Sequence, residues 1–469
     1  MPVDEFPIDQ TGATRWPYYI TVGPDDHLWV TTRDSHTPGG DTGGSLVQIS
    51  RNDPRTQTLH SGQTPPSGTQ ILNDPMGRNI VWFPSSSRQE GEKYTDYARI
   101  NEFDVDEYRI NHKHSLLKDA SVGGISMVRI KADNSPSAPS VHYILFPDFR
   151  HNCVGWIELG KGGMNLVPLP IDTDGFNTSP YRGEVTVASD QTRYTYWFTG
   201  QKRSDDPQTV NGLYAYTPTD DNPWKRIPLP DPSQVPGHII AGPATNGGET
   251  RNYLWIGASS PNQILRYDIE DGSWETSETL TGSPQQLVFG PDGLIWVVGT
   301  NKLYRFKKNN HITLLPSPDV PDATHLQGLC IDDRKVVWYT NTNAKKIGKY
   351  RMEDAGTVVF GKTRLIDQPV ASVAPGDVVQ EPLVASFVAD GSPTPGIPLT
   401  CRIESEETTF LDGTRERLLQ TEVTGKVAFP AVRAGKTEEN VTLKIGWGDN
   451  EPPVTVTLNV RNQPEGDNA

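Results

Sequence analysis

The sequence predicts an all-β chain, a seven-bladed β-propeller followed by a small β-sandwich. Three observations carry this expectation. A hydrophobic strand with an aromatic pair or its near equivalent at its centre recurs seven times. Gly, Pro and Asp punctuate the intervals as turns, and no long helical pattern interrupts them. The copies are Leu28-Trp29-Val30-Thr31, Val81-Trp82-Phe83-Pro84, Leu145-Phe146-Pro147, Tyr196-Trp197-Phe198-Thr199, Leu254-Trp255-Ile256, Ile295-Trp296-Val297 and Val337-Trp338-Tyr339-Thr340. Their anchors (29, 82, 145, 197, 255, 296, 338) lie about 41 to 63 residues apart, the length of one four-stranded blade.

Each copy reads in the same order. An apolar strand enters a Gly-Pro-Asp type turn, as at Ile20-Thr21-Val22-Gly23-Pro24-Asp25 and Leu287-Val288-Phe289-Gly290-Pro291-Asp292-Gly293. Pro and Gly supply the φ values of a tight hairpin and Asp caps it. The anchor strand follows, then a third strand such as Gln263-Ile264-Leu265-Arg266-Tyr267 or Lys346-Ile347-Gly348-Lys349-Tyr350. Fourth strands such as Leu166-Val167-Pro168-Leu169-Pro170 and Arg226-Ile227-Pro228-Leu229-Pro230 carry Pro, which an outer edge tolerates. Val3-Asp4-Glu5-Phe6-Pro7-Ile8 has the same outer character and is a candidate to close the ring. Gly356-Thr357-Val358-Val359-Phe360 competes for that place. The propeller is expected over 1–363. Residues 364–469 lack the anchor repeat and read as the sandwich, with a polar tail.

Composition narrows the function. The formal charge of -15 has no basic stripe to neutralise phosphates, which argues against nucleic acid, and no apolar run reaches bilayer length. No basic n-region with an apolar run stands at the start, so a cytoplasmic location is the default and signal-independent export stays open. Cys153, Cys330 and Cys401 are odd in number and far apart, unlike a disulfide framework.

Pro17-Tyr18-Tyr19-Ile20-Thr21-Val22-Gly23-Pro24-Asp25-Asp26-His27-Leu28-Trp29-Val30-Thr31 resembles the blade phrase of the streptogramin (virginiamycin B) lyase family. Leu329-Cys330-Ile331 through Trp338-Tyr339-Thr340-Asn341 resembles it again. Ala389-Asp390-Gly391-Ser392-Pro393-Thr394-Pro395-Gly396-Ile397-Pro398 resembles a bacterial Ig-like module of the invasin/intimin type. The first resemblance implies metal-assisted elimination, with histidines two places before each blade's first Ile and acids directly after the anchor strand. Here the first position reads Tyr18, Thr69, Gly123, Gly183, Gly237, Gln285 and Gln327. The second reads Thr32, Ser85, Asp148, Gly200, Ala258, Gly299 and Asn341. No histidine stands at the first and only Asp148 is acidic at the second. Elimination needs a base and a group to neutralise developing negative charge.

Glu184 and His238 lie one place past the family's histidine position in this alignment. With Asp148 they form the candidate catalytic set. Strand alternation turns such offset residues away from the channel. Candidate ligand-binding residues at the mouth are Tyr18, Thr32, Arg33, His36, Arg88, His151, Lys202, Gln285, His325, Gln327 and Asn341. Connections after the anchor strand are long in blade one (33–44), blade two (85–95) and blade four (200–211), a one-sided rim of the kind that serves recognition. Asp172-Thr173-Asp174-Gly175-Phe176-Asn177 lacks the distal Glu of a calcium loop and reads as a turn. His112 and His114 share a strand face without a third ligand. The expectation is therefore a non-catalytic propeller binding a small-molecule, glycan or protein ligand at its loop-rich face. A lyase or lactone-opening enzyme with an unusual base is the alternative, and a divalent metal (Mg) belongs to that alternative only. An attachment component of a larger secreted assembly is the third reading.

Overall fold

A computed structural model describes residues 3–461 apart from 12–13, 36–41, 61–70, 75–77, 86–88, 91–92, 95–96, 119, 132–139, 162, 171–177, 188–192, 203–208, 247, 321–322, 324, 353–372, 380–383, 390–391, 423 and 448–453. Among these residues there is no helix. Residues 3–352 form seven antiparallel sheets, each built on a path of four strands. Their innermost strands are Thr14–Val22, Leu72–Asn73, Ser126–Lys131, Ser179–Val187, Val235–Asn246, Pro284–Phe289 and Leu326–Ile331. The fourth strand of blade seven is Asp4–Pro7, which pairs antiparallel with Lys346–Arg351, so that Phe6 lies opposite Ile347. The amino-terminal segment thus closes the ring. Its competitor, Gly356 to Phe360, lies outside the described residues, as does the expected boundary at 363.

The repeat is legible in the core because the anchor Trp of five blades is tied to a side chain of its own blade. The indole N–H of Trp29 donates to Asp25 Oδ1 at 2.9 Å, and that of Trp82 to Asp74 Oδ2 at 2.9 Å. Trp296 donates to Asp292 Oδ2 at 3.0 Å and Trp338 to Asp332 Oδ2 at 2.8 Å. The turn Asp therefore satisfies a donor that burial would otherwise strand, which is how a large indole can sit fully inside. In blade four Thr186 Oγ1 takes the role, at 2.8 Å from Trp197 Nε1.

The carboxyl-terminal strands form a four-stranded sheet, Glu416–Gln420, Pro398–Glu404, Glu439–Gly446 and Val454–Val460, with smaller pairings beside it. One core holds them together, including Phe387, Phe410, Phe429, Leu443 and Trp447. This module rests on the propeller. Arg129 Nε donates to Glu422 Oε1 at 2.7 Å, Arg417 bonds Asn79, and Thr245 Oγ1 meets Ser392 Oγ at 2.8 Å. Lys335 Nζ lies 5.2 Å above the Trp447 ring. The long connections expected as a rim are partly strand. Thr42–Gly43 pairs with Asp34 and Ser35, and Gln89–Glu90 pairs with Lys93–Tyr94.

Candidate functional site

Five of the innermost strands contain the same irregularity. Register shifts fall between Pro17 and Tyr19, Pro180 and Arg182, Pro236 and Ile239, Pro284 and Gln286, and Leu326 and Leu329. Each is a β-bulge, an extra residue that re-aims its neighbours and breaks the two-residue alternation. A sequence signal accompanies four of them, a Pro immediately before the bulge.

The bulges correct two expectations. In blade four the extra residue is Tyr181, so the position aligned with Tyr18 is Tyr181 and not Gly183. Gly183 pairs with Phe198 as Ile20 pairs with Val30, and Glu184 lies opposite the anchor Trp197, three residues past the bulge. The strand from Ser179 to Val187 has no Ile to mark this register, and its first aliphatic residue is Val185, two places past Gly183. Second, Glu184 and His238 do not turn away, because both line the central cavity.

The residues opposite the seven anchors are Thr21, Leu72, Ser126, Glu184, Ile240, Val288 and Cys330. All seven border a cavity of about 620 Å³ that fills the channel at the end where the carboxyl-terminal module sits. Phe410, Leu419 and Pro395 of that module complete its wall. A volume of this order is usual for a small-molecule site. The wall is apolar in part, from Ile20, Leu72, Ile240, Val288, Phe410 and Leu419, and Asp74, Arg78, Arg129, Asp412, Arg417 and Glu422 also line it. Glu184 is the one acid in the ring. Burial pushes its carboxyl up to about 7, although the Val185 amide donates to it at 2.8 Å and opposes the shift. Burial, aided by the charge of Arg182, lowers His238 to about 3, and its Nδ1 accepts from the Leu287 amide at 3.4 Å. Its ring is thus neutral near neutrality, with its proton on Nε2.

Blade four also spans the channel. Arg182 bonds the hydroxyl of Tyr19 in blade one, with its guanidinium carbon 5.0 Å from the Tyr19 ring centroid and 5.1 Å from that of Tyr181. The two residues are 163 positions apart and both are buried. Gly183, next to Arg182, is fixed by space. A Cβ there would fall 2.0 Å from the Tyr196 hydroxyl. Gly183→Ala is expected to cost about 1–3 kcal/mol by overpacking, read as a lower denaturant midpoint. An unchanged midpoint would show that Tyr196 yields without penalty.

The remaining candidates have definite places. Asp148 is 1 % exposed and accepts from the Ser121 amide at 3.0 Å, the Arg150 amide at 3.1 Å and the His151 ring Nδ1 at 2.6 Å. It does not border the cavity, so the expected convergence of Asp148 with Glu184 and His238 is corrected to the latter two. Its strand ends in a tight hairpin, and its carboxylate is held by that turn. Thr32 Oγ1 donates to Asp34 Oδ1 at 2.6 Å, and Asn341 Nδ2 donates to Glu5 Oε1 at 3.1 Å toward the closing strand. Tyr18 and Gln327 are bulge residues, and so is Gln285, which donates to the Ser283 carbonyl at 3.2 Å. His325 is half-buried, its carbonyl accepting from the Thr342 amide at 2.8 Å. Arg33 and Lys202 are exposed, while His36 and Arg88 lie outside the described residues, with Thr69 and the stretch from Asp172 to Asn177. His114 stacks on Trp82, ring centroids 5.9 Å apart. Cys330 borders the cavity with its thiol pushed well up by burial. Among the described residues no three His, Cys, Asp or Glu side chains gather into a metal-holding group.

Two solved structures of virginiamycin B lyase from Staphylococcus aureus superpose on the ring. One, catalytically inactive and crystallised with quinupristin, gives a TM-score of 0.50 at 19% identity over 75% of this chain and 99% of its own. The propeller is streptogramin lyase-like in fold. A selenomethionine form of the same lyase gives 0.50 at 20% identity, over 75% of this chain and 99% of its own. The extracellular domain of a putative hybrid two-component system from B. thetaiotaomicron covers 99% of this chain and 58% of its own at 10% identity, with a TM-score of 0.46. No family model and no curated protein matches the chain. At these identities the likeness of the lyase-like propeller is one of fold, and activity has to be argued from the site.

Proposed function

We propose that this chain is a non-catalytic binding protein. Its lyase-like propeller takes a small, largely apolar, uncharged molecule into the cavity between its channel and the carboxyl-terminal module, which we read as Ig-like. The observation that carries this is the ring opposite the anchors: six of its seven members are uncharged, and the seventh, Glu184, titrates as high as about 7. Recognition is thus moved from the loop-rich face to the enclosed end of the channel. The test uses Nile red, an uncharged apolar dye. It is expected to bind the intact protein saturably at one site, and at least about tenfold more weakly to Ile240→Trp, whose indole partly fills the cavity from its ring wall. Absence of saturable binding, or equal binding by the filled variant, would sink the proposal.

A second reading rests on Glu184 itself. A carboxyl held near neutrality in a cavity that a neutral imidazole also lines is the kind of group that serves as general acid or base. Turnover of a panel of depsipeptides and lactones, abolished by Glu184→Gln, would favour a lyase or lactone-opening enzyme over a binder.

A further inference from the structure

Arg182 carries a charge that the described residues do not neutralise. Its guanidinium is buried, Nη2 is engaged by the Tyr19 hydroxyl, and Nη1 has no hydrogen-bond partner. Glu184, on the same strand, bonds the Val185 amide and makes no ion pair with it. The groups around the guanidinium are two tyrosines and the neutral ring of His238. Aromatic faces offset part of the charge, but desolvating an unpaired cation is expensive and buried charges are ordinarily paired. A second donor lies nearby without an acceptor. The Tyr196 hydroxyl, packed against Gly183, is fully buried, unpartnered, and within electrostatic reach of Arg182.

We infer that the channel at Arg182 is a binding site for a small monoanion, a halide or the carboxylate of a small acid, held by Arg182 Nη1 with the Tyr196 hydroxyl as a second donor. The charge of the ligand follows from the balance of the site. One negative charge cancels the one fixed positive charge, whereas a dianion would leave the interior negative, the more so as Glu184, which also acts on Tyr196, ionises. Arg182 and Tyr19 meet across the channel, and Nη1 is the guanidinium nitrogen left to the ligand. His238 borders both this site and the cavity, but Arg182 itself does not line the cavity, and the site does not depend on how that cavity is used.

Two measurements test it. In sodium sulfate at fixed ionic strength, replacing sulfate charge with acetate is expected to raise the melting temperature of the intact protein saturably, by about 2 °C. Arg182→Met is expected to lose that response. Crystals of the unmodified protein grown with bromide are expected to show an anomalous peak within about 3.5 Å of Arg182 Nη1, and acetate is expected to displace it. The bromide experiment decides alone if Arg182→Met does not fold. Absence of the peak, or equal acetate responses in the two proteins, overturns the inference and leaves the aromatic rings as the only partners of the charge.

Discussion

Arg51→Met is expected to lower the unfolding free energy by about 3–5 kcal/mol, measured by equilibrium denaturation. Arg51 directly follows the third strand of blade one, and its side chain is 1% exposed. Its Nε donates to the Asp26 carbonyl at 3.0 Å, and Nη2 pairs with the Asp26 carboxylate. Nη1 reaches into blade seven, 2.5 Å from Asp333 Oδ1 and 3.5 Å from Asp332 Oδ2. Asp332 is as buried as Arg51 and also holds the Trp338 indole. Removing the guanidinium leaves that carboxylate buried without its cation, and burial already holds its pKa above the usual range against the pull of Arg51. The neighbouring Arg334 also bridges the two blades, to Asn52 and to Asp26 Oδ2 at 2.6 Å, but its side chain is 35% exposed. Arg334→Ala is therefore the control, with an expected cost below about 1 kcal/mol. Similar costs for the two variants would show that burial of the Arg51 cluster contributes nothing special.

Glu184→Gln is expected to stabilise the protein at pH 8 by up to about 3 kcal/mol, with the gain vanishing toward pH 4.5. The ordinary value for this carboxyl is 4.5 and burial raises it to about 7 in the folded chain. The native state therefore binds the proton more tightly than the unfolded state does. Stability falls as pH rises from about 4.5 to about 7 and is level above that, and Gln removes the loss. His238 has the opposite slope. Its ordinary value of 6.5 drops to about 3 on folding, so stability is lost as pH falls from 6.5 toward 3. Between 4.5 and 6.5 the two slopes oppose in the wild type, while Glu184→Gln leaves that of His238 alone and stability rises with pH. A difference between the two proteins that does not vary with pH would refute the burial of Glu184 as an ionisable group.

The ring was readable because its information is periodic. The anchor Trp and the turn Asp recur in step, and the hydrogen bond between them repeats in blades one, two, six and seven. The site was less readable, for two physical reasons. Alternation holds only in an unbroken ladder, and the bulges at Tyr18, Tyr181, Gln285 and their counterparts fall just before the residues whose direction mattered. Glu184 and His238 were named as candidates yet given the wrong facing. The second reason is distance along the chain. Arg129 meets Glu422 across 293 residues and Arg182 meets Tyr19 across 163, and neither pairing leaves a local trace in composition or spacing. The part played by Pro395 and Leu419 in walling the cavity was hidden in the same way.

Closure by Asp4–Pro7 gives the ring a seam with a kinetic character. Lys346 Nζ meets Glu5 Oε2 at 3.1 Å across 341 positions of sequence, so of the ring's strands the earliest in the chain is the last to find its neighbour. Until Lys346–Arg351 emerges, six blades stand as an open arc with an unpaired edge at either end. In the other six blades the four strands of the path follow one another along the chain, whereas Asp4–Pro7 is held to the rest of blade seven by four ladder pairs and by the bonds of Glu5 to Asn341 and Lys346. At high concentration the arc of one chain can accept the free first strand of another, and the seam is where such an exchange begins.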